Sequence, residues 1–223
     1  MFIVEKKPKS IVAEAYRALR TNVQYSAFDK EIKTILVTSS EVKEGKSTIC
    51  GNMALSFSKN EKKVLLIDCD LRKPSLHKMF NVSNVRGLSE VLIGSEELNE
   101  TIQKYSNNLD ILTSGAIPPN PAEMLGSKAM SELLEVLKNK YDTIILDSSP
   151  IRVVTDAQIL ATKTDGAILV VKRDNAKIEA VKDSQNLLNK VGANIIGSIL
   201  NGMDSPRRKD RSYYSNEEIA VRA

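Results

Sequence analysis

The stretch that decides the fold is residues 34–48, TILVTSSEVKEGKST. It opens with an apolar, β-branched run of the kind that forms a strand buried on both faces of a sheet. It then turns polar and closes on Gly-Lys-Ser-Thr, and residues 47–60 that overlap its end have a helical composition. A strand, a polar loop and a helix start in that order predict a loop that binds phosphate.

The residues of this loop each have a chemical reason to contact a phosphate group. Gly45 lets the backbone approach closely, Lys46 can reach the β- and γ-phosphates, and the Ser47 hydroxyl can ligate Mg²⁺. The helix that follows directs free N–H groups and the positive end of its dipole at the same anion. The generic motif has glycine six residues before the lysine, where this chain has Ser40. For the tetrapeptide alone, a strand–helix turn with a solvated lysine is the alternative. We expect ATP and Mg²⁺ as ligands, with the nucleotide held by Glu44, Gly45, Lys46, Ser47 and Thr48.

The rest of the chain repeats the pattern of a short apolar run followed by a helical segment. This alternation predicts an α/β fold with a mostly parallel central sheet flanked by helices. In such a sheet the functional loops lie at the carboxyl ends of the strands. The predicted strands are 34–38, 64–68, 109–113, 143–147, 167–171 and 195–200, and the predicted helices are 47–60, 127–139 and 177–190.

Aspartates follow two further strands of this predicted sheet. Asp68 and Asp70 leave one strand two residues apart, and Asp147 ends another. Carboxylates there can hold Mg²⁺ or its waters, and one can accept a proton from an attacking nucleophile. Arg72 and Lys73 add cations for phosphate. A lone aspartate after a strand is usually a turn former or a helix cap, but three of them together with the phosphate loop argue against that interpretation. The predicted Mg²⁺ ligands are Ser47, Asp68, Asp70 and Asp147.

Composition excludes several other classes of protein. The 223 residues suffice for one α/β domain, and no apolar stretch approaches the ~20 residues of a membrane span. The first ten residues lack the apolar core of a secretory signal, so we expect a cytoplasmic location. Cys50 and Cys69 form no CxxC pair, which argues against a disulfide framework or zinc site. A net charge of +4 with scattered basic residues gives no footprint for nucleic acid.

The three motifs together resemble those of the bacterial tyrosine kinases (BY-kinases) of capsule and exopolysaccharide systems, in their stand-alone cytoplasmic form. That family has a Walker A motif, a Walker A′ motif DxDxR and a Walker B motif DxxP. The corresponding segments here are SSEVKEGKST at 39–48, DCDLRKP at 68–74 and Asp-Ser-Ser-Pro at 147–150. The resemblance covers nearly the whole chain, including residues 113–123 and 154–158.

This resemblance implies a P-loop NTPase fold of the deviant Walker A superfamily and an ATP-dependent protein-tyrosine kinase. The kinase would regulate polysaccharide synthesis and export together with a membrane adaptor that recruits it to the cell membrane. The preferred catalytic base is Asp68, and exchange of that role with Asp70 stays open. Asn201, after the last strand, is either an adenine contact or a plain turn residue. The catalytic residues implied are Lys46, Asp68, Asp70, Arg72 and Asp147.

The chain departs from the family pattern at two places. Val42-Lys43 replaces the usual Pro-Gly, and Lys43 cannot adopt positive φ as cheaply as glycine. This change either shifts the loop or adds a cation near the phosphates. In Walker B, Ser148-Ser149 replaces the common Thr-Pro. Neither departure removes a catalytic group.

A helix is predicted over residues 10–28, with Ser10 as its N-cap. Glu14, Arg17 and Arg20 lie along one face of this helix, three residues apart. Spacing alone favours a solvated charged face. They also match the ExxRxxR motif that joins neighbouring subunits of the family into a ring, so the resemblance implies a homo-oligomer.

Residues 204–223 are polar and aperiodic, so we expect a flexible tail after a kinase domain of residues 1–203. The tail contains Tyr213 and Tyr214, where no core demands an aromatic ring. BY-kinases end in a tyrosine cluster, and the resemblance implies that these two tyrosines are phosphorylated by the kinase itself. The alternative is a disordered tail with two incidental tyrosines.

Two other functions are compatible with a phosphate loop. A partitioning-type ATPase switch usually carries a signature lysine five residues before the loop lysine, and that position here is Glu41. An iron–sulfur carrier scaffold needs paired cysteines, which the sequence lacks.

Overall fold

A computed structural model of the chain describes residues 2–26 and 31–203. Over these residues the strands form one sheet in the order β3-β4-β2-β5-β1-β6-β7. Neighbouring strands pair in parallel, except for β3 and β4, which are antiparallel. The predicted mostly parallel α/β sheet is confirmed. The strands are β1 (Thr34–Ser39), β2 (Val64–Asp68), β3 (Gln103–Ser106), β4 (Leu109–Leu112), β5 (Thr143–Asp147), β6 (Gly166–Lys172) and β7 (Ile195–Asn201).

Helices cover both faces of this sheet. Two of them begin at serines that cap the first turn: the Ser10 hydroxyl accepts a hydrogen bond from Ala13 N, and the Ser127 hydroxyl accepts one from Met130 N. The helices are α1 (Ile3–Lys6), α2 (Ile11–Tyr25), α3 (Lys46–Ser58), α4 (Leu76–Phe80), α5 (Leu88–Leu92), α6 (Leu98–Thr101), α7 (Pro121–Gly126), α8 (Lys128–Lys138), α9 (Asp156–Ala161) and α10 (Ile178–Lys190).

The core has two layers because side chains alternate along each strand. On β1, Ile35 and Val37 face the layer that contains α3, whereas Leu36 faces the layer that contains α8 and α9. Every residue of β1, β2 and β5 is buried. Burial of each large aliphatic side chain contributes about 1.5–3 kcal/mol, so the central strands, and the loops that follow them, are held firmly.

Two predictions about the strands need correction. The antiparallel edge strand β3 is absent from the prediction, because its residues alternate between half-buried and exposed and form no apolar run. The last strand, β7, is not buried on both faces: Leu200 is 54% exposed, because β7 is the other edge of the sheet. The remaining predicted strands, and the predicted helices 47–60, 127–139 and 177–190, agree with the structure to within two residues at each end.

The N-terminal segment packs onto α3, although no element is predicted before residue 10. The ring of Phe2 is buried against Gly51 of α3, and its centroid lies 4.3 Å from that of Phe80. Val4 N donates to the Asn52 side chain (3.2 Å), which also belongs to α3. The helix that carries the phosphate loop is therefore covered by the beginning of the chain.

The charged residues of α2 find partners within their own chain. Glu14 and Arg17 form an ion pair one turn apart (2.5 Å), and Arg17 also donates to Pro8 O. Arg20 donates to Ser56 O (2.8 Å), a carbonyl at the C-terminal end of α3. The helix itself is described from Ile11 to Tyr25, and residues 27 and 28 of the prediction lie outside the described residues.

Candidate active site

The three motifs meet in one cavity of about 480 Å³ at the carboxyl ends of β1, β2 and β5. This is where the order of parallel strands predicts a ligand site. A groove of about 670 Å³ lies elsewhere, lined by Arg152 and five residues of α10, but none of the predicted site residues line it. The smaller cavity is lined by Val42, Lys43, Gly45, Lys46, Ser47, Thr48, Asp70, Arg72, Lys73, Ser75, Met79, Ser149, Pro150, Val153 and Val154.

The phosphate loop leads from β1 into α3 through Gly45. This glycine has φ of 92°, in the left-handed region that residues with a Cβ rarely adopt, and a Cβ here would also overlap the Asn201 amide. Lys46 is only 8% exposed, at the start of the 13-residue helix α3. Ser40, at the position of the generic glycine, is buried and hydrogen-bonded to the Ser184 hydroxyl of α10 (2.9 Å). The loop is thus held by both neighbouring helices.

Two predicted nucleotide contacts support the loop from within rather than line the cavity. The Glu44 carboxylate is fully buried and accepts a hydrogen bond from Glu41 N (3.0 Å). The Asn201 amide donates to the backbone carbonyl of Glu44 (2.9 Å), and its carbonyl accepts from Gly202 N. In the described residues Asn201 therefore connects β7 to the loop, and an adenine contact stays a prediction.

Asp147 lies beneath the phosphate loop at the end of β5. Its Oδ1 accepts a hydrogen bond from the Cys50 thiol (3.6 Å), and its Oδ2 is buried without a partner among the described residues. Burial raises the pKa of this carboxyl group, while the Ser47 hydroxyl and the Lys46 ammonium oppose the rise. A free buried carboxylate oxygen beside a serine hydroxyl suits the coordination shell of a Mg²⁺ that also binds phosphate. No three acidic, cysteine or histidine side chains of the described residues form a ready-made metal cage, so phosphate oxygens and waters would complete that shell.

The two aspartates of the Walker A′ motif have different surroundings. Asp68 is fully buried, and its carboxylate accepts hydrogen bonds from Ser75 N and Leu76 N (both 3.0 Å), which shapes the loop. Burial and the neighbouring Asp147 raise its pKa. Asp70 lines the cavity, where it accepts a hydrogen bond from the Ser149 hydroxyl (3.0 Å). Of the two, Asp70 is the one that a substrate in the cavity can reach.

Arg72 is held by a residue whose role the sequence did not reveal. Its guanidinium donates two hydrogen bonds to Asp156 (2.8 and 3.0 Å), and this carboxylate is fully buried at the start of α9. The Ser149 hydroxyl lies 3.4 Å from the same carboxylate. Asp156 is within the stretch 154–158 that carries the family resemblance, and nothing else in the sequence pointed to its role. This pairing fixes the guanidinium at the mouth of the cavity.

Other predicted residues are not brought to this cavity. Glu14, Arg17 and Arg20 are on α2, which packs against α3. Tyr213 and Tyr214 lie outside the described residues.

Comparison with known proteins agrees with this arrangement. A family model described as an AAA domain matches residues 32–199. The protein named tyrosine-protein kinase YwqD, from Bacillus subtilis (strain 168), is 39% identical over 97% of this chain and 92% of its own length. This chain belongs to the bacterial tyrosine-protein kinase family. The predicted family, and with it the tyrosine-kinase class of enzyme, is confirmed.

Solved structures place this tyrosine-protein kinase among kinase domains. The kinase domain of Escherichia coli tyrosine kinase ETK superposes with a TM-score of 0.88 at 35% identity, covering 92% of this chain and 82% of that one. The chimerical protein CapA2B2 has the same TM-score at 36% identity, with 92% and 90% covered. The septum site-determining protein MinD from Pyrococcus horikoshii OT3, complexed with Mg-ADP, has a TM-score of 0.65 at 26% identity over 81% of this chain and 76% of that one. The predicted P-loop fold is confirmed.

The kinase differs from a partitioning-type switch at Glu41. In place of a signature lysine, this acidic residue forms an ion pair with Arg152, which also lies 3.7 Å from Asp183 of α10. The Glu41 side chain therefore forms a contact within its own chain.

Proposed function

We propose that this chain transfers the γ-phosphoryl group of ATP to tyrosine hydroxyls, with Tyr213 and Tyr214 of a neighbouring copy among its substrates. The observation that carries the proposal is that Lys46, Ser47 and Asp70 line one cavity. A phosphate-binding lysine, a metal-binding hydroxyl and a proton acceptor are the parts that phosphoryl transfer requires.

The nucleotide and its metal ion would be held by the phosphate loop and by β5. Lys46 would bind the β- and γ-phosphates, and the backbone of Gly45 and the N-terminus of α3 would surround them. Ser47 and the unpartnered Oδ2 of Asp147 would hold Mg²⁺, directly or through its waters. When bound, the ion neutralises charge that develops on the phosphate oxygens. That MinD was solved with Mg-ADP supports this assignment.

Asp70 is the proton acceptor that the cavity favours. The tyrosine oxygen attacks the γ-phosphorus, the bond from that phosphorus to the β–γ bridging oxygen breaks, and ADP leaves. The phenolic proton passes to a carboxylate. Asp68 is the base preferred from the sequence, but it is fully buried and accepts hydrogen bonds from Ser75 N and Leu76 N at the start of α4. We therefore assign the base to Asp70 and the support of its loop to Asp68.

The surrounding cations would position the phosphates and stabilise the transition state. Lys73 lines the cavity beside Arg72, which the buried Asp156 holds in place. Because the protein does little covalent chemistry in phosphoryl transfer, such positioning supplies most of the rate acceleration.

The tail is proposed to reach the active site of another copy. Tyr213 comes twelve residues after Asn201, the last residue of β7. At about 3.3–3.6 Å a residue, a fully extended chain of that length spans roughly 40 Å. Each phosphotyrosine adds about −1.5 to −2 charges, which Asp70 and Asp147 would repel. The phosphorylated tail would thus leave the site, and the assembly would loosen.

Self-association and an adaptor complete the proposal. Arg17 is 39% exposed, and its partners among the described residues are the equally accessible Glu14 and a carbonyl, so this part of the ExxRxxR face can bind a second copy. No helix within residues 2–26 or 31–203 has the length and apolarity of a membrane span. We propose that a membrane adaptor recruits the kinase, which then regulates polysaccharide synthesis and export.

The direct test mixes two forms of the protein in ATP and Mg²⁺. A Lys46→Met chain keeps its tail tyrosines, and a Tyr213→Phe/Tyr214→Phe chain keeps its active site. Phosphopeptide mapping should find label on the tail of the Lys46→Met chain. If instead only the wild-type chain labels its tail, at a rate independent of protein concentration, transfer occurs within one copy. If no tyrosine of any form is labelled, the kinase assignment itself fails.

A further inference from the structure

We propose that Lys43 is a second phosphate-binding lysine of the loop, and that its ligand is the polyphosphate of the bound nucleotide. The proposal rests on the nucleotide binding assigned above, but not on the identity of the phosphate acceptor. Three observations carry it: the backbone conformation of Lys43, its position in the cavity, and the charge of that cavity.

The first observation is that the loop keeps a conformation suited to glycine although it has a lysine there. Lys43 has φ of 62°, in the left-handed region, where a Cβ is disfavoured. Of the two outcomes expected from the sequence, a shifted loop or an added cation, the loop has therefore not taken the first. The strained backbone lowers the stability of the loop at this position, and the lysine side chain is retained there nonetheless.

The second observation is where that side chain lies. Four residues other than glycine have positive φ in the described part of the chain: Lys43, Glu61, Asn81 and Asp174. Asparagine and aspartate adopt this region readily. Only Lys43 of the four lines the cavity, together with Lys46, Ser47 and Thr48. Its ammonium has no hydrogen bond or ion pair with the residues described, so it is available to a ligand.

The third observation is the charge of the cavity. Four cationic side chains line it, Lys43, Lys46, Arg72 and Lys73, against one carboxylate, Asp70. Only Arg72 has an ion-pair partner, Asp156, in the described residues. Three ammonium groups are thus left for an anionic ligand. Since Lys43 belongs to the same short loop as Gly45 and Lys46, the group nearest to it is the phosphate chain rather than a peptide.

The test measures nucleotide binding without turnover, by calorimetry with ADP and with a non-hydrolysable ATP analogue, both with Mg²⁺. Lys43→Asn removes the charge but keeps a residue that tolerates positive φ, and Lys43→Gly removes both the charge and the strain. Lys43→Arg keeps the charge. We expect Lys43→Asn and Lys43→Gly to bind about tenfold more weakly, a typical loss for a charge-assisted contact, and Lys43→Arg to bind like wild type. Raising the salt concentration should narrow the difference.

Unfolding without nucleotide separates binding from loop structure. Lys43→Gly should be at least as stable as wild type while it binds more weakly. Glu61→Gly is the matched control, since it relieves positive φ after α3, outside the cavity, and should leave nucleotide affinity unchanged. Wild-type affinity in Lys43→Asn would overturn the proposal. So would a variant with unchanged affinity but a raised KM for a tyrosine peptide, because Lys43 would then bind the acceptor. Absence of tyrosine phosphorylation in every form would refute the kinase function but leave this result standing.

Discussion

The contact between Phe2 and Gly51 predicts that a usually stabilising substitution will destabilise this protein. Gly51 lies inside α3, where alanine is preferred over glycine by about 1 kcal/mol. The alanine methyl group would, however, lie 2.6 Å from Cζ of Phe2 and overlap Cε1 of the same ring. The ring has no room to move inwards, since it is 2% exposed and packs on Phe80. Gly51→Ala should therefore expel the ring.

The magnitude follows from what the ring loses. Burial of a phenylalanine side chain contributes about 1.5–3 kcal/mol, and its contact with Phe80 adds about 0.5–1.5 kcal/mol. Subtracting the helix-propensity gain of about 1 kcal/mol leaves a net destabilisation of about 1–3.5 kcal/mol. For a domain of this size, that lowers the Tm by roughly 2–14 °C.

The assay is a double-mutant cycle followed by thermal and urea denaturation. In a Phe2→Ala background the obstruction is gone, so Gly51→Ala should stabilise the protein by about 1 kcal/mol. The sign of one substitution thus depends on the residue at position 2. If Gly51→Ala stabilises both backgrounds, Phe2 does not pack on α3, and the account of the N-terminal segment is wrong.

Four other substitutions test the site and the N-terminal helix. Lys46→Met should abolish phosphoryl transfer and leave the circular dichroism spectrum unchanged, because this lysine is the proposed phosphate ligand and does not build the core. Wild-type activity in this variant would refute the phosphate-loop assignment. Asp156→Asn should lower kcat about tenfold or more, as measured by steady-state kinetics. It should also lower the free energy of unfolding by about 1–2 kcal/mol in a urea titration, which is less than for a fully buried pair because Arg72 is 38% exposed. An unchanged kcat would show that the pair has only a structural role. Arg17→Ala should weaken self-association, measured by light scattering, with little loss of stability. Arg20→Ala should lower the free energy of unfolding by about 1–2 kcal/mol, because it loses the hydrogen bond to the end of α3. Equal effects of the two substitutions in both measurements would contradict these separate roles.

The central strands could be predicted from the sequence because burial on both faces leaves a continuous apolar run. The predicted 64–68 and 143–147 coincide with β2 and β5. At the edges this signal fades, since water replaces one of the packing partners. The strand β3 reads QKYS and pairs in antiparallel orientation with β4, a contact that only the folded sheet reveals.

The site was predictable where one loop supplies the residues, and less so where distant segments meet. Lys46 and Ser47 follow β1 directly, so their place in the cavity follows from the strand–loop–helix order. The pair formed by Arg72 and Asp156 joins residues 84 apart in sequence. The different surroundings of Asp68 and Asp70 arise because the start of α4 folds back onto Asp68, a contact that sequence spacing does not predict.

The hydrogen bond from Asn201 to the carbonyl of Glu44 has a practical consequence for measurement. It joins the end of β7 to the phosphate loop across 157 residues of sequence. Met203, two residues further on, is 60% exposed. A fluorophore attached through a Met203→Cys substitution would lie two residues from the side chain that contacts the loop, and the two native cysteines are both buried. It would serve as an optical reporter, converting a nucleotide-dependent movement of the loop into a change in emission while every residue proposed to contact phosphate stays unmodified.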